Sequence, residues 1–146
     1  MPITYQIDAD KRTLWTKAIG HVTLQEVINH FRALEQDPQI PEHTDVFLDL
    51  SEVDSLPEPA QLTIVIQELA RIRTNVRFNG CAIVATSDAL FGMMRMFEVK
   101  AEEFFRAMCT FRIATEAQAW LLLQQSSVDH ERANRETGQT GQTGQS

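Results

Sequence analysis

The chain is poor in the residues on which metal centres, phosphate cradles and disulfide frameworks are built. Its 146 residues include two cysteines, four histidines and six glycines. Three of those glycines fall in a polar C-terminal repeat, which leaves little material for a glycine-rich phosphate loop. No Walker-A, GxGxxG or GxSxG pattern occurs. His21, His30, His43 and His130 are never paired at helical or strand spacing, and none lies beside a cysteine in ligand spacing, so no metal site is expected. Solvated surface positions are expected for all four. No run approaches the ~20 apolar residues that a membrane span requires. Met1-Pro2-Ile3-Thr4 has neither the basic nor the apolar region of a secretory signal, and a cytoplasmic location is the resulting expectation. Cys81 and Cys109 sit in apolar runs and read as buried, reduced thiols. A disulfide between them on adjacent strands is left open.

What is present is ordinary for a globular domain: 43% hydrophobic and 23% charged residues, with a net charge of −7. The charge is uneven. Residues 1–60 carry eleven acids against four bases, and residues 61–125 carry six against seven. With a pI near 5.0 the chain lacks the basic patch that nucleic acid demands, and nucleic-acid binding is not expected.

Periodicity gives the order of elements. Ile3–Ile7 alternates apolar and polar residues, and Leu14–Ile19 follows after a turn, which predicts a hairpin. Thr23 with Glu26 forms a capping box ahead of Leu24, Val27, Ile28, Phe31 and Leu34 at helical spacing. Asp37-Pro38 closes that helix. Val46–Leu50 reads as a buried strand, Ser51–Pro59 as a loop, and Leu62, Val65, Ile66, Leu69 and Ile72 as the inner stripe of a second helix. Cys81–Ala85 is a further strand. A helix capped at Thr86, Ser87 or Asp88 runs to about Glu103, Thr110–Ile113 is the last strand, and a capping box at Thr115 and Gln118 opens a short C-terminal helix, Ala119–Gln124. The order β-β-α-β-α-β-α-β-α predicts an α/β domain with a mixed, mostly parallel sheet of about five strands and four helices. The domain spans residues 1–125. Residues 126–146, ending in a threefold Thr-Gly-Gln repeat, read as a flexible polar tail.

Two regions stand out. The loop after the third strand carries Glu52, Asp54, Ser55 and Glu58, whose spacing differs from that of an EF-hand. Acids there suit the N-terminus of the following helix. In the third helix Leu90, Phe91, Met93, Met94, Met96 and Phe97 fall within eight residues and cover roughly 220° of its circumference, more than one sheet contact uses. A second subunit, an apolar ligand or the C-terminal helix is needed to cover the remainder. Arg71, Arg73, Arg77, Arg95, Arg106 and Arg112 make the second half relatively basic and read as solvated side chains.

Over residues 3–124 the element order resembles the SpoIIAA-like, or STAS-like, family of small bacterial α/β domains. Val46-Phe47-Leu48-Asp49-Leu50-Ser51-Glu52-Val53-Asp54 is similar to the strand before the phosphorylation loop of anti-sigma-factor antagonists. Ser87–Phe97 is similar to a stretch recurring in uncharacterised members of the wider group. The antagonists carry an Asp-Ser-Ser-Gly-like segment at the next helix, with the phosphorylated serine. Here Leu56-Pro57-Glu58-Pro59-Ala60 stands in its place, and Ser55 precedes the helix. The resemblance therefore implies a non-enzymatic interaction module without the phosphorylation switch, a homodimer or a binder of another protein, with no cofactor. Its rival is a carrier of a small apolar molecule or lipid lined by the third helix, since SpoIIAA-like domains share an architectural resemblance with lipid-binding CRAL-TRIO domains.

Overall fold

Alternating residues along Ile3–Asp8 and Thr13–Gly20 form β1 and β2, an antiparallel hairpin that pairs Tyr5 with Thr16 and Ile7 with Leu14. The computed structural model describes residues 2–137, and the side chains of residues 2–125. Helix α1, Leu24–Gln36, starts at its predicted cap. The Thr23 hydroxyl accepts the Glu26 N–H at 3.2 Å, and the Thr23 N–H donates to Glu26 Oε1 at 2.8 Å, a device worth about 1 kcal/mol. Then come β3, Thr44–Val53, and α2, Pro59–Ile72, with proline in its first turn where no N–H is needed. Strand β4 is Phe78–Val84. Helix α3, Asp88–Ala101, is capped by the Ser87 hydroxyl, which accepts the Leu90 N–H at 3.3 Å. A 3-10 turn at Glu102–Phe104, strand β5 at Ala107–Phe111 and helix α4 at Ala114–Thr137 complete the chain's described part.

Three elements, β3, β5 and α4, end or begin elsewhere than the sequence reading placed them. Ser51–Val53 extend β3 instead of opening a loop, because Glu52 and Val53 pair with Ile19 and Gly20 of β2. Strand β5 starts and ends earlier than expected, and α4 has begun by Ala114, so Thr115 lies inside its first turn and not at its cap. Helix α4 continues through residues 126–137, past the expected end at Gln124. That stretch contains neither glycine nor proline to interrupt a helix. The Thr140-Gly141-Gln142 and Thr143-Gly144-Gln145 repeats lie outside the described residues.

The five strands stand in the order β1-β2-β3-β4-β5, with β2 to β5 parallel. Because paired residues share a face and neighbours along a strand alternate, the two faces can be read from the register. Leu14, Val46, Cys81 and Ile83 meet Leu34 of α1, Leu62 and Leu69 of α2, and Leu90, Met94 and Phe97 of α3 in the larger core. Phe47, Ala82 and Val84 meet Ala117 and Leu121 of α4 in the smaller one, with Trp15, Phe111 and Trp120 at its margin. Cys81 pairs with Met108, and Cys109 pairs with Ala82, so the two cysteines point to opposite faces. Both are free thiols, Cys81 buried and Cys109 partly so.

One carboxylate joins the layers. Asp45, at the start of β3, is 3% exposed. Its Oδ1 accepts Nδ2–H of Asn79 at 2.7 Å and the N–H of Gly80 at 2.8 Å. Position 80 is tight for a side chain: a Cβ there would lie 3.2 Å from that same oxygen and 3.4 Å from Gln124 and Leu121 of α4. Glycine lets strand, carboxylate and helix approach together. Replacing Asp45 by alanine strands two buried donors, so we expect Asp45→Ala to lose about 2–4 kcal/mol in urea unfolding. Asp45→Asn keeps an acceptor at the same place and should lose clearly less.

Candidate functional site

Between the sheet and α1–α3 lies a cavity of about 200 Å³. It exceeds the roughly 150 Å³ apolar cavity that suffices to hold benzene. Its floor is the inward register of β2 and β3, including Leu14, Thr16, Ala18 and Leu48, and its roof is the apolar stripes of the three helices. The cavity explains why the stripe of α1 is loosely covered. Leu34 is its only buried residue, while Val27 and Phe31 remain half-buried although they face inward.

The third helix contributes Leu90, Met94 and Phe97 to this wall, one turn apart and 4%, 6% and 8% exposed. The other three predicted residues go elsewhere. Phe91 lies beneath the Arg112 guanidinium, 4.4 Å from its ring centroid. Met93 is half-buried against the larger core, and Met96 is 48% exposed. Helix α4 packs on the opposite face of the sheet and does not cover α3, which removes one of the three expected covers. Val99, 69% exposed, adds to the apolar patch beside Met96 and was outside the predicted set. Arg95 pairs loosely with Glu98 at 3.9 Å, Arg71 with Glu35 and Glu68 at 2.9 and 3.1 Å, and Arg73 with Glu103 at 3.2 Å. These arginines are occupied by acids of the chain.

The acidic loop residues do not converge. Glu52 pairs with Lys17 at 2.6 Å. The Asp54 N–H donates to the Gly20 carbonyl at 3.0 Å, and the Glu58 N–H donates to Gln61 Oε1 at 2.9 Å, so Glu58 serves the start of α2. Ser55 is drawn inward. Its hydroxyl accepts the Val22 N–H at 3.0 Å, which pins this loop to the β2–α1 turn, and it lines the cavity. No group of three or more metal-ligating side chains comes together among the described residues.

Sequence reasoning missed the polar groups of the cavity. Thr16 is 3% exposed, and its hydroxyl has no hydrogen-bond partner among the described residues. Its signal was legible in the alternation Leu14-x-Thr16-x-Ala18, which places a threonine in the inward register of β2. His30, expected at the surface, instead lines the cavity, with its ring edge-on to Tyr5 at 5.6 Å and tilted against Phe31 at 5.9 Å. Its place three residues after Val27 sets it on the inner side of α1. The other polar side chains on this wall are engaged: Thr23 caps α1, Ser55 holds Val22, and Gln61 holds Glu58. A second hollow of about 180 Å³ at the opposite end of the strands is polar and mixed in charge, bordered by Lys11, Arg12, His43 and Asp45. Arg12 and His43 adopt positive φ there, 48° and 59°.

A hairpin leading into consecutive parallel strands, with three helices on one face and one on the other, is the α/β architecture of the SpoIIAA-like fold. A solved structure of an uncharacterised DUF3478-family protein with a SpoIIAA-like fold, from Shewanella loihica PV-4, matches the chain with a TM-score of 0.55 and 19% identity over 82% of this chain and 91% of that one. At that identity the likeness establishes the fold. No family model matches the chain, and no curated protein matches it. No helix among the described residues is long and apolar enough to cross a membrane.

Burial in this wall lowers the His30 pKa from 6.5 to about 4. The unfolded chain therefore takes up a proton near pH 6.5 that the folded chain refuses until about pH 4. Stability is full above pH 6.5 and falls as the pH drops towards 4. We expect His30→Phe, which keeps the ring contacts, to flatten this part of a stability–pH profile followed by denaturant unfolding. An unchanged slope between pH 6.5 and 4 would place the acid sensitivity elsewhere.

Proposed function

We propose that the chain is a non-enzymatic binding module that carries a small apolar molecule between its sheet and helices α1–α3. The observation that carries this reading is the cavity, whose wall draws on the sheet, all three helices and the loop at Ser55 and is nearly all apolar. Filling it with an apolar molecule removes that wall from water, at roughly 25 cal/mol per Å². The loop from Asp54 to Glu58 then serves as a wall tied down through Ser55, in place of a phosphorylation switch. Native mass spectrometry tests the reading, on freshly purified protein before and after incubation with pyrene. The expected result is a non-covalent small-molecule adduct in wild type. Ala18→Leu, which places a larger side chain in the floor, should abolish it with the far-UV circular dichroism preserved. A wild type that binds no pyrene would sink the carrier reading.

A second reading is self-association through α3, favoured by the exposed Met96 and Val99 on its outer side. In a two-fold pair one patch meets itself, so a single charge is placed twice. If this face is the interface, Met96→Glu should convert a dimer into a folded monomer in analytical ultracentrifugation. A wild type that sediments as a monomer at micromolar concentration removes this reading and leaves the carrier untouched.

A further inference from the structure

The cavity's polar inventory specifies what kind of molecule fits. No lysine or arginine lines it, so a carboxylate or phosphate placed inside would find no counter-charge. The same wall holds one hydroxyl with nothing to bond, that of Thr16, buried in the middle of β2 between Tyr5 of β1 and Leu48 of β3. An orphaned polar atom in an apolar wall is unfavourable unless something pairs with it. Rotation by about 120° about the single Cα–Cβ bond carries the Thr16 hydroxyl to another staggered position, with the methyl and the β-hydrogen moving round with it. His30 supplies a second, uncommitted group on the facing helix. Its contacts are the rings of Tyr5 and Phe31, and no hydrogen bond among the described residues uses its nitrogens. It is neutral at pH 7 and thus offers one donor and one acceptor but no charge.

Resting on the carrier reading, we propose that the cavity is selective for an uncharged amphiphile, an apolar body bearing one neutral hydrogen-bonding group such as a hydroxyl or ketone, with Thr16 as the specificity-determining residue and His30 as the second polar contact. Such a ligand supplies the partner Thr16 lacks. An alkane of the same length leaves the hydroxyl orphaned. A fatty acid must enter protonated or leave a charge uncompensated.

The test uses the full chain and displacement of bound pyrene, a hydrocarbon with no polar group, by decane, decan-1-ol, 2-decanone and decanoate at neutral pH. Thr16→Val has nearly the same shape and suits a strand. It should fold with unchanged circular dichroism and a melting temperature at or above that of wild type, because the orphaned hydroxyl is gone. Thr16→Val should bind pyrene and decane as wild type does, yet bind decan-1-ol and 2-decanone about fivefold more weakly. Decanoate should displace pyrene from wild type less well than decan-1-ol. Decanoate as the tightest competitor, or equal losses for decane and decan-1-ol in Thr16→Val, would overturn the ligand class while pyrene binding keeps the carrier reading standing. Failure of wild type to bind pyrene or any of the four competitors overturns the carrier reading, and this inference falls with it.

Discussion

Each parallel connection in this sheet joins a strand to its immediate neighbour, and that constraint organises everything else. A right-handed crossover between neighbours places its helix on one particular side of the sheet. Three crossovers in the same direction, β2 to β3 to β4 to β5, therefore stack α1, α2 and α3 on a single face. In doubly wound sheets the strand order reverses, and the resulting crevice is where ligands bind. Here the order runs straight through. The space available to a guest is instead inside the layer, between the three helices and the strands they bridge, and the cavity lies there. The opposite face is left to the last helix, α4, through Ala117, Trp120 and Leu121.

The same arrangement sets the chemistry of the two cores. The α4 side is closed by aromatic contacts, Trp15 on Phe47 at 4.9 Å and Phe111 on Trp120 at 5.8 Å, and by the close approach at Gly80. The other side is spanned by aliphatic, methionine and aromatic side chains from three separate helices. Three rigid rods cover a twisted sheet less completely than one helix lying along a groove, and imperfect coverage is what a cavity is. Thr16 then becomes intelligible. On a closed apolar face a threonine without a partner only detracts from stability. In the carrier proposed above, it faces the guest and distinguishes one guest from another.

The sequence made the helices and the inner strands legible, because alternation and the three- and four-residue spacing of apolar side chains are strong signals. The capping box at Thr23 and the cap at Ser87, one of three candidate residues, fell where local chemistry puts them, while the one expected at Thr115 did not. The ends of elements were less legible. Ser51–Val53 look like loop in composition but are strand because β2 offers them partners, and pairing is a long-range fact. The six apolar residues of the third helix were legible as a wide stripe, yet not as three separate surfaces. That division depends on Arg112 reaching back over Phe91 and on the sheet turning Leu90, Met94 and Phe97 inward. His30 was misplaced for a related reason. A single histidine carries no periodicity of its own, and its side of the helix is known only once Val27 and Phe31 are seen to face the sheet.

Gln125 gives α4 one further duty. Its side-chain amide donates to the Lys11 carbonyl at 2.9 Å and to the Thr13 hydroxyl at 2.7 Å, so the first hairpin is fastened by a residue more than one hundred positions later in the chain. During synthesis this fastening waits for almost the whole domain to leave the ribosome. Until then the α4 side of β2 and β3, with Trp15 and Phe47, stays uncovered, while the side that holds the cavity has been roofed helix by helix as each crossover emerged. The nascent domain thus has its cavity face assembled early and its α4 face completed late. Its period of exposure to chaperones and to other nascent chains is set by how quickly the ribosome delivers α4.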